Sequence, residues 1–399
     1  MNPHQLYLET DRCVKCGLCL PHCPTYLKLA DEAESPRGRI ALIQAVNNRQ
    51  LPLSRELTRH LDHCLGCRAC ERICPSGVKY GILIDTARYW IRADRKSSAA
   101  GLNPWLLAIF SERERLWKYT RLLPFLRHSG FLKAAQLLAP AKYRPLLNIA
   151  SLLPEKRAIP GIYPASHPPS GKTLQLFIGC VSSQVDQPVI DAAVNVLTRL
   201  GYAVDIPSKQ VCCGALHRHN GFPETAEALR KQNRKLSENS RAFALITLAS
   251  ACHLELSEHK ASLIPIVNII DFLLDHIEPK QFTTHLKPTC RVAVHVPCSA
   301  RTDQTIKLLR LIPGLEVEIL PENEICCGAA GSYLITQPKL SRQIGEDKLK
   351  YLKTTTSNVL ITSNTGCALQ FRLLIKQAKL EIEVLHPVEL IDRLFHTRT

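Results

Sequence analysis

Two short cysteine runs near the amino terminus constrain this chain more than any other feature of its sequence. Each run follows the pattern Cys-x2-Cys-x2-Cys-x3-Cys-Pro; the first spans 13–24 and the second spans 64–75. Three closely spaced thiolates can wrap around one iron–sulfur cube, and in two-cluster ferredoxins the fourth cysteine binds the other cube. Zinc also favours Cys-x2-Cys, but a tetrahedral zinc site does not need three equally spaced cysteines followed by Cys-Pro. The pattern therefore predicts two [4Fe–4S] clusters.

The crossover rule assigns four cysteines to each predicted cube. The first cube is expected to bind Cys13, Cys16, Cys19 and Cys74, and the second is expected to bind Cys64, Cys67, Cys70 and Cys23. Small residues inside the runs, Gly17, Gly66 and Ala69, let backbone N–H groups approach the cluster sulfurs and tune the reduction potential.

The insert between the two runs predicts helix, so residues 1–95 are expected to form a helical two-cluster ferredoxin domain. The insert contains the sequence SPRGRIALI at 35–43. Its Arg37 and Arg39 could offset the negative charge of a cluster. A solvated helix face is the more common position for such residues, and it is the interpretation that the sequence favours.

The seventeen cysteines fall into two zones of the 399-residue chain. Eight lie in 13–74, none in 75–179 and nine in 180–367. An odd number excludes a closed set of disulfide pairs, and no window approaches the roughly 18 apolar residues of a membrane span. We therefore expect a cytoplasmic chain whose thiols bind metal. Between the zones, the basic, Leu-rich segment 96–153 predicts a helical connector, and the Pro-rich segment 154–173 predicts an extended linker.

Strand and helix patterns alternate after the linker, which predicts parallel sheets. Strands are expected at 174–179, 242–247, 291–296, 315–320 and 358–362, and the apolar stretch 263–274 suits a buried strand followed by a helix start. The cysteines of this region repeat with offsets of 118, 114 and 115 residues. The repeat defines two modules, 174–275 and 291–399, joined by a connector at 276–290; we call them the first and second CCG modules after their Cys-Cys-Gly motifs. The predicted fold class is multidomain α+β: an α-helical two-cluster ferredoxin domain followed by two α/β modules.

Each CCG module contributes four thiols that the fold should gather at one end of its sheet. They are Cys180, Cys212, Cys213 and Cys252 in the first module, and Cys298, Cys326, Cys327 and Cys367 in the second. These sets could bind a further iron–sulfur centre, a zinc ion or no permanent metal, or they could be small buried hydrophobes. Cys290 has no counterpart and suits the last interpretation. His253 and His295, next to the modules, could be auxiliary ligands or proton donors, although ordinary packing is the commoner role of such histidines.

These motifs resemble a known family. FIGC ending at Cys180, LASAC ending at Cys252, HVPC ending at Cys298 and the two CCG motifs are similar to the paired cysteine-rich domains of heterodisulfide-reductase-type and hydroxyacid-oxidase subunits. With the two ferredoxin runs and SPRGRIALI, the whole order resembles the iron–sulfur subunits of bacterial glycolate oxidases. One difference is that Ala249 and Asn364 occupy positions where domains with noncubane clusters have a further cysteine.

The resemblance implies an electron-transfer subunit rather than a substrate-binding chain. The implied partners are flavin-containing glycolate oxidase subunits, which oxidise glycolate to glyoxylate, and a quinone or membrane electron acceptor reached from the cytoplasmic face of the inner membrane. The sequence contains no Gly-rich nucleotide loop, which agrees with a flavin on another chain. Alternatives are a glycerol-3-phosphate or lactate dehydrogenase subunit and a heterodisulfide-reductase-like enzyme. The formal charge of +16 also allows a nucleic-acid binder, but no recognition motif supports one, and none is expected.

Overall fold

The computed structural model describes residues 3–94, 101–120, 123–140, 143–154, 159–166, 169–258, 262–282, 290–300 and 302–395. All seventeen cysteines lie within these ranges.

The amino-terminal domain is helical, as the sequence predicts. Its helices are α1 (Pro3–Asp11), α2 (Pro24–Leu29), α3 (Pro36–Asn47), α4 (Arg55–Asp62), α5 (Ala69–Arg72) and α6 (Tyr80–Ala93), with a 3₁₀ turn at Glu32–Glu34. Serine side chains begin two of them: Ser35 caps α3 and Ser54 caps α4, each accepting a backbone N–H of the first turn. Apolar faces of α1, α3, α4 and α6 meet in one core around Leu6, Ile43 and Leu83. This core holds the two cysteine loops between the helices.

The connector region contains five short helices. They are α7 (Pro104–Ser111), α8 (Arg113–Thr120), α9 (Leu123–His128), α10 (Phe131–Leu138) and α11 (Arg144–Ala150). Its first part lies against the first CCG module, because Glu112 forms an isolated antiparallel bridge with Val211. Its last part packs on the second module, where Ile149, Leu152 and Leu153 meet the apolar core. The connector therefore packs on both CCG modules and also joins them to the amino-terminal domain.

The first CCG module is a five-stranded sheet with helices. Its elements are β1 (Gly161–Tyr163), β2 (Thr173–Phe177), α12 (Ser182–Val185), α13 (Gln187–Arg199), β3 (Ala203–Ile206), α14 (Ala215–Arg218), α15 (Pro223–Glu238), β4 (Ala244–Thr247), α16 (Ser250–Glu258), β5 (Ile266–Asn268) and α17 (Ile269–His276). The second module follows a 3₁₀ turn at Pro279–Gln281. Its elements are β6 (Cys290–Val294), α18 (Thr302–Arg310), β7 (Leu315–Ile319), α19 (Tyr333–Thr336), α20 (Pro338–Thr354), β8 (Val359–Ile361), α21 (Thr365–Ala378), β9 (Glu383–Leu385) and α22 (Pro387–Leu394).

Both sheets share one parallel arrangement of four strands. The order is β3-β2-β4-β5 in the first module and β7-β6-β8-β9 in the second, and the first module adds β1 as an antiparallel edge strand beside β3. The α/β prediction is therefore confirmed, and the five strands and the strand at the start of 263–274 are present. Sequence reasoning missed β1, β3 and β9, which are short and each contain a glycine or an acidic residue (Gly161, Asp205 and Glu383), so that no continuous apolar run marks them. Strand β1 also lies inside the segment that the sequence predicts to be an extended linker.

The two modules are packed against each other through a continuous hydrophobic core. Helix α13 lies against α22, and α17 lies against α18. Leu176 and Val196 of the first module belong to the same buried cluster as Val294 and Ile391 of the second. Because all four-strand cores are parallel, the thiols follow the carboxyl ends of their strands and gather at one edge of each sheet. Within the described part of the chain, no helix is long and apolar enough to cross a bilayer.

Candidate metal centres

The first predicted cube site is a cavity in the amino-terminal domain. Its lining includes the four predicted ligands, Cys13, Cys16, Cys19 and Cys74, together with Cys70. Cys16 is exposed, whereas Cys70 is buried. Cys70 therefore lies between this cavity and the second group of thiols, to which the sequence assigns it.

The SPRGRIALI segment, which forms the start of α3, holds the first cysteine loop through hydrogen bonds. Gly38 donates its backbone N–H to Ser35 Oγ at 2.9 Å, and a Cβ on Gly38 would lie 1.9 Å from the carbonyl oxygen of Glu32. Arg37 pairs with Glu32 at 2.7 Å and donates from Nη1 to the carbonyl oxygen of Lys15 at 3.0 Å. Only glycine fits at 38, and Arg37 holds the loop in place. The motif therefore has a structural role beside the cluster site.

The sulfurs of the second predicted set accept hydrogen bonds from the protein. Cys64 Sγ accepts from the Gly66 N–H at 3.4 Å and from the Tyr80 hydroxyl at 3.5 Å. Cys23 Sγ lies 3.2 Å from Thr25 Oγ1. Hydrogen bonds to cluster sulfurs stabilise added negative charge and tune the reduction potential.

Arg39 lies beneath this second set and not on a solvated helix face, so the interpretation favoured from the sequence is wrong for this residue. Its side chain is 1% exposed and pairs with Glu34 at 2.6 Å. It also donates to Thr25 Oγ1 at 3.0 Å and lies 3.9 Å from Cys23 Sγ. Glu34 in turn accepts from His60 and His63 at 2.7 and 2.8 Å. This network could not be predicted from the sequence, because a buried and an exposed arginine look alike in a helical pattern.

Burial raises the pKa of Cys67, and the neighbouring Cys298 thiol raises it further; burial also raises the pKa of Cys70. Buried thiols of this kind lose their protons when they bind a cationic centre, which supplies the charge that offsets several thiolates. The eight amino-terminal thiols, with hydrogen-bond donors directed at two sulfurs, fit the predicted iron–sulfur clusters in donor chemistry.

The first CCG module brings its four predicted thiols into one row. The thiol of Cys212 lies near those of Cys180 and Cys213, and the thiol of Cys213 lies near that of Cys252, so the row runs in the order Cys180, Cys212, Cys213, Cys252. Contact with Cys180 and burial raise the pKa of Cys212. The bend that the vicinal pair needs comes from Gly214, where φ is +103° and a Cβ would lie 2.9 Å from the carbonyl oxygen of Ala226.

The second CCG module repeats this row with Cys298, Cys326, Cys327 and Cys367. The sulfurs of Cys327 and Cys367 are 3.1 Å apart. Gly328, with φ +87°, supplies the bend. Asn364, at the position of the absent further cysteine, directs its amide towards Cys367 Sγ at 3.7 Å. Cys290 is half-buried at the start of β6.

The two histidines near the modules have different surroundings. His253 Nδ1 is 3.1 Å from the hydroxyl of Thr247, which suits a packing role. A ring nitrogen of His295 and the sulfurs of Cys327 and Cys367 all lie within 4.8 Å of one another. His295 is therefore part of the second thiol site.

The second cube site and the second CCG module meet directly. We call this contact the ferredoxin–CCG interface; its residues are Leu65, Cys67, Arg72, Cys298, Cys326 and Tyr333. Arg72 Nη1 donates to the carbonyl oxygens of Cys67 at 3.2 Å and Cys298 at 3.1 Å. Tyr333 donates its hydroxyl hydrogen to the carbonyl oxygen of His63 at 2.9 Å. Sequence reasoning could not find this contact, because no spacing relates residues more than 200 positions apart.

Comparisons with known proteins agree with this arrangement. Residues 9–78 match the 4Fe-4S dicluster domain, and residues 174–257 and 292–372 each match the cysteine-rich domain. The chain is 27% identical to lactate utilization protein A of Bacillus licheniformis, over 55% of this chain and 98% of that protein.

Two relatives match nearly the whole chain. The glycolate oxidase iron–sulfur subunit of Escherichia coli is 29% identical, over 89% of this chain and 88% of that protein. The probable glycolate oxidase iron–sulfur subunit of Bacillus subtilis is 31% identical, over 96% of this chain and 93% of that protein. The chain therefore belongs to the family of glycolate oxidase iron–sulfur subunits.

Proposed function

We propose that this chain is the electron-transfer subunit of a glycolate-oxidising complex, taking electrons from a flavin-containing partner and passing them towards a quinone. The observation that carries the proposal is the ferredoxin–CCG interface: Cys67, a predicted cube ligand, lies beside Cys298 of the second thiol row, and Arg72 bridges their carbonyl oxygens. Closely spaced sites for redox centres are what a relay requires.

The chain's own residues would hold and insulate the centres. In this proposal Cys13, Cys16, Cys19 and Cys74 hold one [4Fe–4S] cluster, and Cys64, Cys67, Cys70 and Cys23 hold the other. When bound, such clusters accept and release one electron at a time. The cation of Arg39 lies in the protein interior near Cys23, where it offsets negative charge.

The overall reaction divides between two chains. Oxidation of glycolate to glyoxylate releases two electrons and two protons, which a flavin on the partner accepts together. The partner then gives up the electrons one at a time to this chain, and its protons return to solvent. The final acceptor, a quinone, takes two electrons and two protons. Protons are therefore exchanged only at the flavin and at the quinone, and this chain carries only electrons.

A membrane acceptor is supported by the surface of the connector. The side chains of Phe125, Phe131, Leu137 and Leu138 are 69–85% exposed on α9 and α10, next to the basic Arg127 and Lys133. An apolar patch with neighbouring cations suits the anionic interface of a bilayer. We therefore propose peripheral contact with the cytoplasmic face of the inner membrane.

Lactate as the partner's substrate is a second candidate, because the chain is also similar to lactate utilization protein A over 55% of its length. The experiment that separates the candidates is anaerobic co-purification with the flavoprotein, followed by addition of one substrate at a time. We expect glycolate to reduce the iron–sulfur centres, monitored by bleaching in the visible range and by electron paramagnetic resonance. Reduction by lactate or glycerol 3-phosphate alone would reassign the substrate. Reduction by none of the three would contradict the relay.

A further inference from the structure

His295 differs from the other buried histidines in having no partner for either ring nitrogen. Its residue is 1% exposed, and among the described residues neither Nδ1 nor Nε2 has a hydrogen-bond partner. Leaving a buried polar group unpaired costs about 1–3 kcal/mol. By contrast, His386 accepts the N–H of Val388 on one nitrogen and contacts the carbonyl oxygen of Leu248 with the other. A buried imidazole of this kind therefore needs a partner that the described residues do not supply.

The position of the ring identifies the missing partner. One nitrogen of His295 lies within 4.8 Å of the sulfurs of Cys327 and Cys367, which are themselves 3.1 Å apart. The ring packs edge to face on Phe371, with centroids 5.0 Å apart, so its orientation is fixed by the core. We propose that the second CCG module binds a metal centre through the imidazole of His295 together with the thiolates of Cys327 and Cys367.

The donor atoms indicate which metals this site would bind. A neutral imidazole offers a metal the lone pair of one ring nitrogen. Thiolate and imidazole donors together select zinc or iron over magnesium or calcium, which prefer oxygen ligands. The proposed metal centre is therefore a zinc ion or an iron–sulfur cluster.

The first CCG module has no equivalent nitrogen. His295 lies three positions before Cys298, and the residue three positions before Cys180 is Phe177. Phenylalanine offers no ligand atom, and Phe177 is 3% exposed and belongs to the same buried cluster as Cys180, Cys212 and Cys213. The two thiol rows are alike, so the imidazole makes the second centre chemically distinct. This inference concerns metal ligation and holds whether or not the chain carries electrons from glycolate.

The test uses the full chain purified without oxygen, together with its His295→Phe, His295→Cys and His253→Leu variants. Iron and zinc are counted first. Iron beyond that of the two cubes is examined by pulsed electron paramagnetic resonance for coupling to nitrogen, and zinc by X-ray absorption at its own edge. Cubes with four thiolates contribute no bound nitrogen. Their visible spectrum also reports that each variant has folded.

We expect metal beyond the two cubes, with one nitrogen ligand, in the parent and in His253→Leu. In His295→Phe, the phenylalanine of the first module is copied, and the affinity for this metal should fall at least about tenfold, since even outer-shell partners have effects of that size. His295→Cys should keep the metal but lose the nitrogen signal. No metal beyond the cubes, or a centre without nitrogen in the parent, would overturn the inference while leaving the relay intact. Failure of glycolate to reduce the cubes would leave the inference standing.

Discussion

The two CCG modules have the same four-strand order and the same row of four thiols, but different parts of the chain cover them. In the first module, the backbone N–H of Cys212 donates to the carbonyl oxygen of Ser111 in the connector at 2.9 Å. In the second module, Cys298 is tied through Arg72 to Cys67 of the ferredoxin domain. The repeated frame thus positions the thiols, and the segment packed on each row determines which other thiols lie near it.

The comparison extends to the residue three positions before the first thiol of each row. Phe177 packs among the thiols of the first module, whereas His295 adds a nitrogen donor to the thiols of the second. In our proposal, these differences make the second module the one directly coupled to the amino-terminal clusters and the first module the more peripheral one. Four matched pairs of substitutions test this division.

The largest effect is expected when the first thiol of each row is changed. Cys298→Ser should reduce electron flow from the flavin partner to a quinone by about 100-fold, since one missing ligand disturbs the centre next to the cubes. Cys180→Ser should have a smaller effect, at least tenfold less by the same estimate. The measurement is the steady-state rate of quinone reduction by the anaerobic complex. Equal losses in the two variants would remove the distinction between the modules.

Replacing one buried leucine by alanine in the segment that packs on each CCG module should lower the free energy of unfolding by about 2–5 kcal/mol. Leu65 packs with Cys326 and Tyr333 at the ferredoxin–CCG interface and is 8% exposed; Leu107 in α7 is 2% exposed. Leu65→Ala should also shift the resonance spectrum of the cubes, whereas Leu107→Ala should leave it unchanged. Guanidinium unfolding and the spectrum of the reduced protein measure the two effects. A spectral change in Leu107→Ala but not in Leu65→Ala would mean that the cubes are coupled to the first CCG module instead of the second.

Removing one hydroxyl group from the contact that each CCG module makes with its neighbouring segment should lower the free energy of unfolding by about 1 kcal/mol. Ser111→Ala takes away the hydroxyl that lies 3.0 Å from His217 Nε2, and Tyr333→Phe takes away the donor to the carbonyl oxygen of His63. Thermal unfolding followed by circular dichroism measures both losses. A loss above about 3 kcal/mol in either variant would mean that these single bonds do more than satisfy a local partner.

The smallest effects are expected from the ion pairs that join the ferredoxin domain to each module. Arg68 lies 2.8 Å from Glu258 of the first module, and Lys28 lies 2.5 Å from Asp347 of the second. Each pair is partly exposed, so Arg68→Ala or Lys28→Ala should cost less than about 1 kcal/mol, and the cost should shrink as salt is added. Unfolding at low and high ionic strength measures it. A cost independent of salt would show that packing, not charge, connects the domains.

Much of the architecture follows from local patterns in the sequence. Repeated spacing placed both thiol rows and the main strands, because ligand spacing and βα alternation are encoded over short distances. The strands β1, β3 and β9 are not predicted, because each is short and contains a glycine or an acidic residue that interrupts the apolar run. They become strands through pairing with β3, β2 and β8, respectively, which only the assembled sheets provide.

The surroundings of the sites were less predictable. Arg39 is buried because Glu34 and Thr25 satisfy its guanidinium, and neither partner can be identified from helical periodicity. His295 was recognised as a residue near the thiols, but its two unpaired nitrogens depend on what the folded core leaves out. The ferredoxin–CCG interface joins segments remote in sequence, so it emerges only from tertiary packing.

Iron and acid-labile sulfide counts on the anaerobically purified chain, with resonance spectra before and after reduction by dithionite, decide whether the amino-terminal thiols hold two cubes. We expect about eight iron and eight sulfide per chain from these cysteines, and a loss of about four of each in either Cys16→Ser or Cys67→Ser. A colourless protein that contains zinc and no labile sulfide would contradict the assignment.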